Sequence, residues 1–205
     1  IHGGEAEEYF SIPMKVKTIR KVSDHEFLFT GVYQHHAIDL SNLKGEERDL
    51  AIAQIEEEKD YEVFDELPFW ANGRGVINKQ RTRLYLFDRI SGAITLLSPE
   101  YMNVNSFDYS KKLDAVVYHG HDYQWMDDQK DDMYVCWLHG GNAVEIALEH
   151  RYGVSATAFL GEQIILSASN RETYGSSENP VFFLADPKTG EVHPLADLDP
   201  SMFSS

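Results

Sequence analysis

The chain has 205 residues, with 34 Asp and Glu against 18 Lys and Arg, a formal net charge of −16. That surplus repels phosphate backbones and anionic lipid surfaces, which argues against nucleic-acid and membrane partners. No run of about 18 apolar residues is present, so nothing reads as a bilayer-spanning helix, and the lone Cys136 precludes an internal disulfide and suits a reducing, cytoplasmic setting.

Residues 1–15 open on His2-Gly3-Gly4-Glu5-Ala6 and continue into Tyr9-Phe10-Ser11-Ile12-Pro13. This reads as the turn and second strand of a hairpin whose first strand is not in the sequence. Val16 to Tyr33 is a strand, the polar turn Ser23-Asp24-His25-Glu26, and the apolar strand Phe27-Leu28-Phe29-Thr30. Gly45 to Lys59 is rich in helix formers and has Glu46 and Glu47 in its first turn, where the helix dipole favours acids. Its apolar positions Leu50, Ile52, Ala53 and Ile55 mark only a narrow face, so a surface helix is expected. Asp60-Tyr61-Glu62-Val63-Phe64 reads as a returning strand. Leu67-Pro68-Phe69-Trp70-Ala71-Asn72-Gly73-Arg74-Gly75 then forms an aromatic loop punctuated by glycine.

Three hairpins follow with one grammar. Leu84-Tyr85-Leu86-Phe87-Asp88 turns at Ser91-Gly92-Ala93 into Ile94-Thr95-Leu96-Leu97. Met133 to Trp137 turns at Gly140-Gly141-Asn142 into Ala143-Val144-Glu145-Ile146, and Val181 to Asp186 turns at Thr189-Gly190-Glu191 into Val192-His193-Pro194-Leu195. The starts at Leu84, Met133 and Val181 lie 49 and 48 residues apart. Between them stand a second kind of strand pair, Val104 to Tyr118 and Val154 to Ser169, with starts 50 residues apart. An apolar strand, a Gly-bearing turn and a second strand make a hairpin. A period near 50 residues marks a β-propeller blade, a unit that must stack on neighbours to bury its faces. The first strands of the three hairpins are apolar at successive positions, as strands covered on both sides are.

The expected fold is therefore all-β: a partial β-propeller of about three and a half four-stranded antiparallel blades with one helical insertion. The frame of the repeat divides residues 1–205 into a partial blade at 1–40, the helical insertion and loop at 41–80, blades at 81–124 and 131–175, and a partial blade at 180–205. Both ends fall inside blades and the first residue is Ile1, so the sequence reads as a piece of a larger propeller. Exposed blade edges offer strands for pairing with a second copy.

The run from Asp60 to Gly75, followed by Thr82-Arg83-Leu84-Tyr85-Leu86-Phe87-Asp88, resembles the propeller of the prolyl oligopeptidase family, in its branch of acylaminoacyl-peptidases and dipeptidyl-aminopeptidase-like enzymes. The resemblance is specific over residues 60–97. It implies a propeller that gates peptide access to an α/β-hydrolase domain carrying a Ser-Asp-His triad, so the expected partners are a peptide substrate and that domain. The Gly-x-Ser-x-Gly elbow of such hydrolases is missing from these residues, and no catalytic residue is assigned. No cofactor or metal is expected.

The candidate substrate-binding residues are Glu66, Phe69, Trp70, Asn72 and Arg74. The aromatic rings would supply contact area, and Glu66 or Arg74 an ionic anchor for a peptide terminus or carbonyl. The competing reading has Phe69 and Trp70 filling space between blades while Asn72, Gly73 and Gly75 shape the connection. His2-Gly3-Gly4 and His139-Gly140-Gly141 imitate an oxyanion segment but fall where the repeat places turns. His119, His121, Asp127, Asp128, Asp131 and Asp132 lack a ligand spacing that would define a metal site, and read as a solvated loop. For His35-His36 no partner is readable, and no role is assigned to the loop Thr173 to Glu178.

Overall fold

The computed structural model describes residues 9–195 apart from 36, 39, 41–42, 59, 61–62, 74 and 149–151. Three four-stranded antiparallel sheets follow one another along the chain. The first is built from β1 (Val16–Lys21), β2 (Glu26–Gln34), β5 (Gln80–Asp88) and β6 (Ile94–Leu96). The second holds β7 (Met102–Ser110), β8 (Ala115–Asp122), β9 (Asp132–Trp137) and β10 (Val144–Glu145). The third holds β11 (Gly153–Leu160), β12 (Gln163–Ser169), β13 (Val181–Ala185) and β14 (Val192–Pro194). Between β2 and β5 come the helix α1 (Gly45–Glu58) and a small hairpin, β3 (Trp70–Ala71) with β4 (Gly75–Val76). This is a partial propeller with a helical insertion, as the repeat implies.

The grouping of strands differs from the expected frame by half a unit. The hairpin at 84–97 pairs with β2 in an unbroken register from Glu26↔Asp88 to Gln34↔Gln80, so it closes the first blade across the insertion. Strands 102–122 join 132–145, and the hairpin at 181–194 completes the third blade with 153–169. Ranges 81–124 and 131–175 are thus each divided between two sheets, and 180–205 is not a separate partial blade. The physical reason is that backbone pairing, not chain proximity, assigns a strand, and the insertion leaves and re-enters at paired ends. Val63 and Phe64, expected in a strand, are in none. Phe10, Ile12 and Met14 form no strand either; they pack over Phe27, Phe29, Tyr85 and Phe87 on the free side of the first blade.

Continuous apolar runs have a direct explanation here. On β8, Val116 and Tyr118 face Leu28 and Leu84 of the first blade, whereas Ala115 and Val117 face Ile164 and Leu166 of the third. All four are buried, because successive side chains point to opposite faces and both faces are covered. Burying a Val or larger side chain contributes about 1.5–3 kcal/mol each. The inner strands share a further mark. Each shifts register at one equivalent place, between Val16 and Thr18, Val104 and Ser106, and Val154 and Ala156. The extra residues Lys17, Asn105 and Ser155 turn their side chains to their own blade, reaching Thr82 Oγ1, Asp131 Oδ1 and the Ser167 carbonyl. A bulge of this kind sharpens strand twist at the point where blades converge.

Helix α1 fits its sequence: acids open it, and only Ala51 is buried. With so little packing, its stability rests on propensity.

Candidate functional site

Strand alternation sorts the connections to two ends of the propeller. One end carries the insertion 35–79, the inter-blade connections 97–101 and 146–152, and the β8–β9 and β12–β13 loops. At this insertion end the stretch 63–70 is fastened to the blade by a buried ionic cluster. Glu66 Oε2 accepts from Arg81 Nη2 at 2.7 Å, and Oε1 accepts from Arg81 Nη1 at 3.2 Å and from the Lys79 backbone N–H at 2.6 Å. Neither the Glu66 nor the Arg81 side chain has any exposed area. Arg81 also donates to the carbonyls of Tyr101, Tyr123 and Gln80 and lies 4.0 Å from the Tyr123 ring centroid. One guanidinium thus joins the insertion, β5 and the connections on either side of β7 and β8. Its planar fork suits this divergent set of acceptors.

Lys79 adds a second tie. Its Nζ donates to the Gln124 carbonyl at 2.6 Å, lies 3.5 Å from Asp65 Oδ1, and sits 4.2 Å from the Trp125 ring centroid. Backbone bonds complete the seam: Leu67 N–H donates to Trp125, Asp127 N–H to Leu67, and Leu67 bridges Met126 in parallel. The result is a fixed platform made from two loops of different blades.

The expected site residues separate on this platform. Glu66 is enclosed by Arg81, so its carboxylate is not an open anchor for a peptide amine. Phe69 and Trp70 do not fill the space between blades; Trp70 is 57% exposed, and Phe69 packs on Phe64 with ring centroids 4.7 Å apart. Asn72 is exposed in the β3–β4 turn, where Gly73 and Gly75 take φ of +76° and +80°. Arg74 lies outside the described residues. Trp125 (63% exposed) and Met126 join the surface, although sequence reading passed over them. Their signal was an aromatic and a methionine within an otherwise polar connection.

The acidic loop at 123–131 is not simply solvated. Asp131 is buried; its Oδ1 faces His119 Nδ1 at 2.8 Å, and its Oδ2 accepts from the Val154 N–H of the third blade at 2.8 Å. His121 Nδ1 lies 2.9 Å from Asp127 Oδ2, and its Nε2 lies 3.8 Å from Asp131 Oδ2. Hydrogen bonds to the two carboxylates push the His121 pKa up to about 10. Burial acts to raise Asp131, but the bonds from His119 and His121 outweigh it and hold the carboxyl well below its usual range. Among the described residues no group of three or more His, Cys, Asp and Glu is placed to hold a metal ion.

Other expectations resolve individually. Gly140 and Gly141 sit in a turn at φ of +133° and +107°, while His139 spans a blade seam, its two ring nitrogens each 2.7 Å from a carboxylate, Asp114 and Glu26. Those bonds raise its pKa. His2-Gly3-Gly4 lies outside the described residues, as does His36. His35 stacks on Tyr101 and meets Arg83 Nη2 at 3.1 Å; burial and that guanidinium lower its pKa, favouring the neutral ring. Cys136 is a half-buried free thiol, its pKa raised by burial. No helix among the described residues is long and apolar enough to cross a membrane.

Comparison of the fold with solved structures gives extensive matches. The acylaminoacyl peptidase of Pyrococcus horikoshii, in two crystal structures, aligns with 88% and 89% of this chain at TM-scores of 0.55 and 0.56 and 16% identity. The β-propeller domain of the trilobed protease from Pyrococcus furiosus aligns with 87% at a TM-score of 0.51 and 10% identity. The chain is a stretch of β-propeller. It spans 25% of the length of the acylaminoacyl peptidase chains and 41% of the trilobed protease domain. No family model and no curated protein matches its sequence.

Proposed function

We propose that these residues are the gating portion of a serine peptidase of the prolyl oligopeptidase family, acting in a reducing cytoplasm on peptides that pass to an α/β-hydrolase domain encoded outside them. The observation that carries this reading is the passage 60–97. Its first part forms the aromatic platform at the insertion end, and its second part is the strand and hairpin that close the first blade. The fold likeness to the acylaminoacyl peptidase propeller supports the same reading. The propeller's role is exclusion: enclosing the reaction chamber limits substrate size and shields the acyl-enzyme step from bulk water. In this reading Phe69, Trp70 and Asn72 contact substrate, and their exposure at the insertion end supports that role.

The test uses the whole parent enzyme. Trp70→Ala should raise the Michaelis constant more than it lowers turnover, as loss of binding contact does. Release of the size limit on removing residues 1–205, with short-peptide cleavage retained, would support gating. Unchanged cleavage of both short peptides and large folded proteins would refute it.

A second reading is a propeller without catalysis that holds a protein partner. The exposed Trp70 and Trp125 favour it equally well. It requires a parent with no hydrolase domain.

A further inference from the structure

The two ends of the propeller differ sharply in charge. Among the described residues, the connections rooted at the insertion end hold 15 Asp and Glu against five Lys and Arg. Those rooted at the opposite end, in the loops after β1, β5, β7, β9, β11 and β13, hold five against four. The connections at the first end thus carry a formal surplus of ten negative charges, of which Arg81 and His121 on the adjoining strands offset two, and those at the second are nearly neutral. The acidic end is also the aromatic one, with Phe64, Leu67, Trp70, Trp125 and Met126 all exposed. Leu67, Trp125 and Met126 are held in one surface by the backbone bonds across the blade seam.

We infer that the insertion end is a docking surface for a cationic polypeptide segment bearing apolar anchors, seated where the 64–70 stretch meets the 125–127 loop. Contiguous exposed apolar surface marks interaction sites, and tryptophan is prominent among residues that carry binding energy. The field of this end draws positive partners and repels negative ones. Arginine and lysine gain further from indole faces, a preference the protein already uses where Lys79 lies over Trp125. The buried Glu66–Arg81 pair fixes the platform before a partner arrives, which reduces the ordering cost of binding. The inference concerns this chain alone and does not depend on a hydrolase domain.

The test is calorimetric titration of the product of the whole reading frame with a short, terminally blocked peptide alternating Arg and Leu, and with its Glu/Leu and Arg/Ser counterparts. The Arg/Leu peptide should bind, the Glu/Leu peptide should not, and Arg/Ser should bind at least about tenfold more weakly. The double variant Trp70→Ala, Trp125→Ala should weaken Arg/Leu binding by about tenfold or more, with the melting temperature near that of the parent. Charge reversal at Glu57 and Asp128, both to Lys, should weaken it severalfold with both tryptophans retained. No binding of the Arg/Leu peptide, equal binding of the Glu/Leu peptide, or binding unaffected by either double variant would overturn the inference.

Discussion

Glu66 and Arg81, 15 residues apart in the chain, form an ion pair whose two side chains are wholly enclosed, at 2.7 Å. The pair anchors the insertion to the start of β5 in the first blade, and Arg81 extends the link to Tyr101 and Tyr123. A buried pair is held together by mutual attraction against a large desolvation cost, so removing one partner leaves the other charge uncompensated. Glu66→Ala should destabilise the protein by about 3–5 kcal/mol, measured by denaturant unfolding. The double replacement Glu66→Leu, Arg81→Met should recover much of that loss, because no isolated charge remains. Equal loss in the single and double variants would show that the pair acts through shape alone.

Backbone closeness at Gly120 yields a second expectation. A Cβ there would run into the Asn103 carbonyl oxygen and lie 2.8 Å from Val104 Cα, beside the β7 bulge. Backbone does not yield as a side chain does. Gly120→Ala should cost about 2–3 kcal/mol. At Gly31 the nearest obstacle is the Met14 sulfur, at 2.5 Å, and Met14 can swing aside. Gly31→Ala should cost less, about 1 kcal/mol. Thermal melting of the two variants checks the order, and a reversed order would contradict this packing.

His121 gives a pH dependence with a defined sign. Its pKa rises from 6.5 to about 10 through Asp127 and Asp131, so the folded state favours the imidazolium. The stability it contributes is complete below about 6.5 and is lost as pH rises through about 10. His121→Gln should therefore be destabilised relative to the parent at neutral pH, by a few kcal/mol at most, with the gap narrowing as pH rises from about 6.5 and gone above about 10. Unfolding measured across this range reads the difference directly and cancels the titration of lysines and tyrosines common to both proteins. A gap that stayed constant with pH would exclude the ionic role.

Much of the fold was legible because blade strands write their environment into sequence. Val116 and Val117 are both apolar since one faces each seam, and Gly92, Gly140 and Gly190 mark turns that the backbone needs. The blade frame was not legible. Pairing of Gln34 with Gln80 leaves no local sign across 45 intervening residues. At the site, Trp70 is exposed, as a contact residue would be and a space-filling one would not, but the enclosure of Glu66 was not legible. An acid in a loop normally faces water, and only the fold brings Arg81 beneath it. Asp131 was misread for the same reason, since His119 and the Val154 amide reach it from a neighbouring strand and the next blade.

In the proposed reading any chemistry lies outside these residues, in a hydrolase domain of the same protein. Labelling the product of the whole reading frame with a fluorophosphonate probe, followed by peptide mapping, tests it most directly. One labelled serine is expected, beyond residues 1–205 and within a Gly-x-Ser-x-Gly segment, in a protein that cleaves short peptides. A whole reading frame that takes up no label and cleaves no peptide, or a label on a serine within residues 1–205, would contradict it.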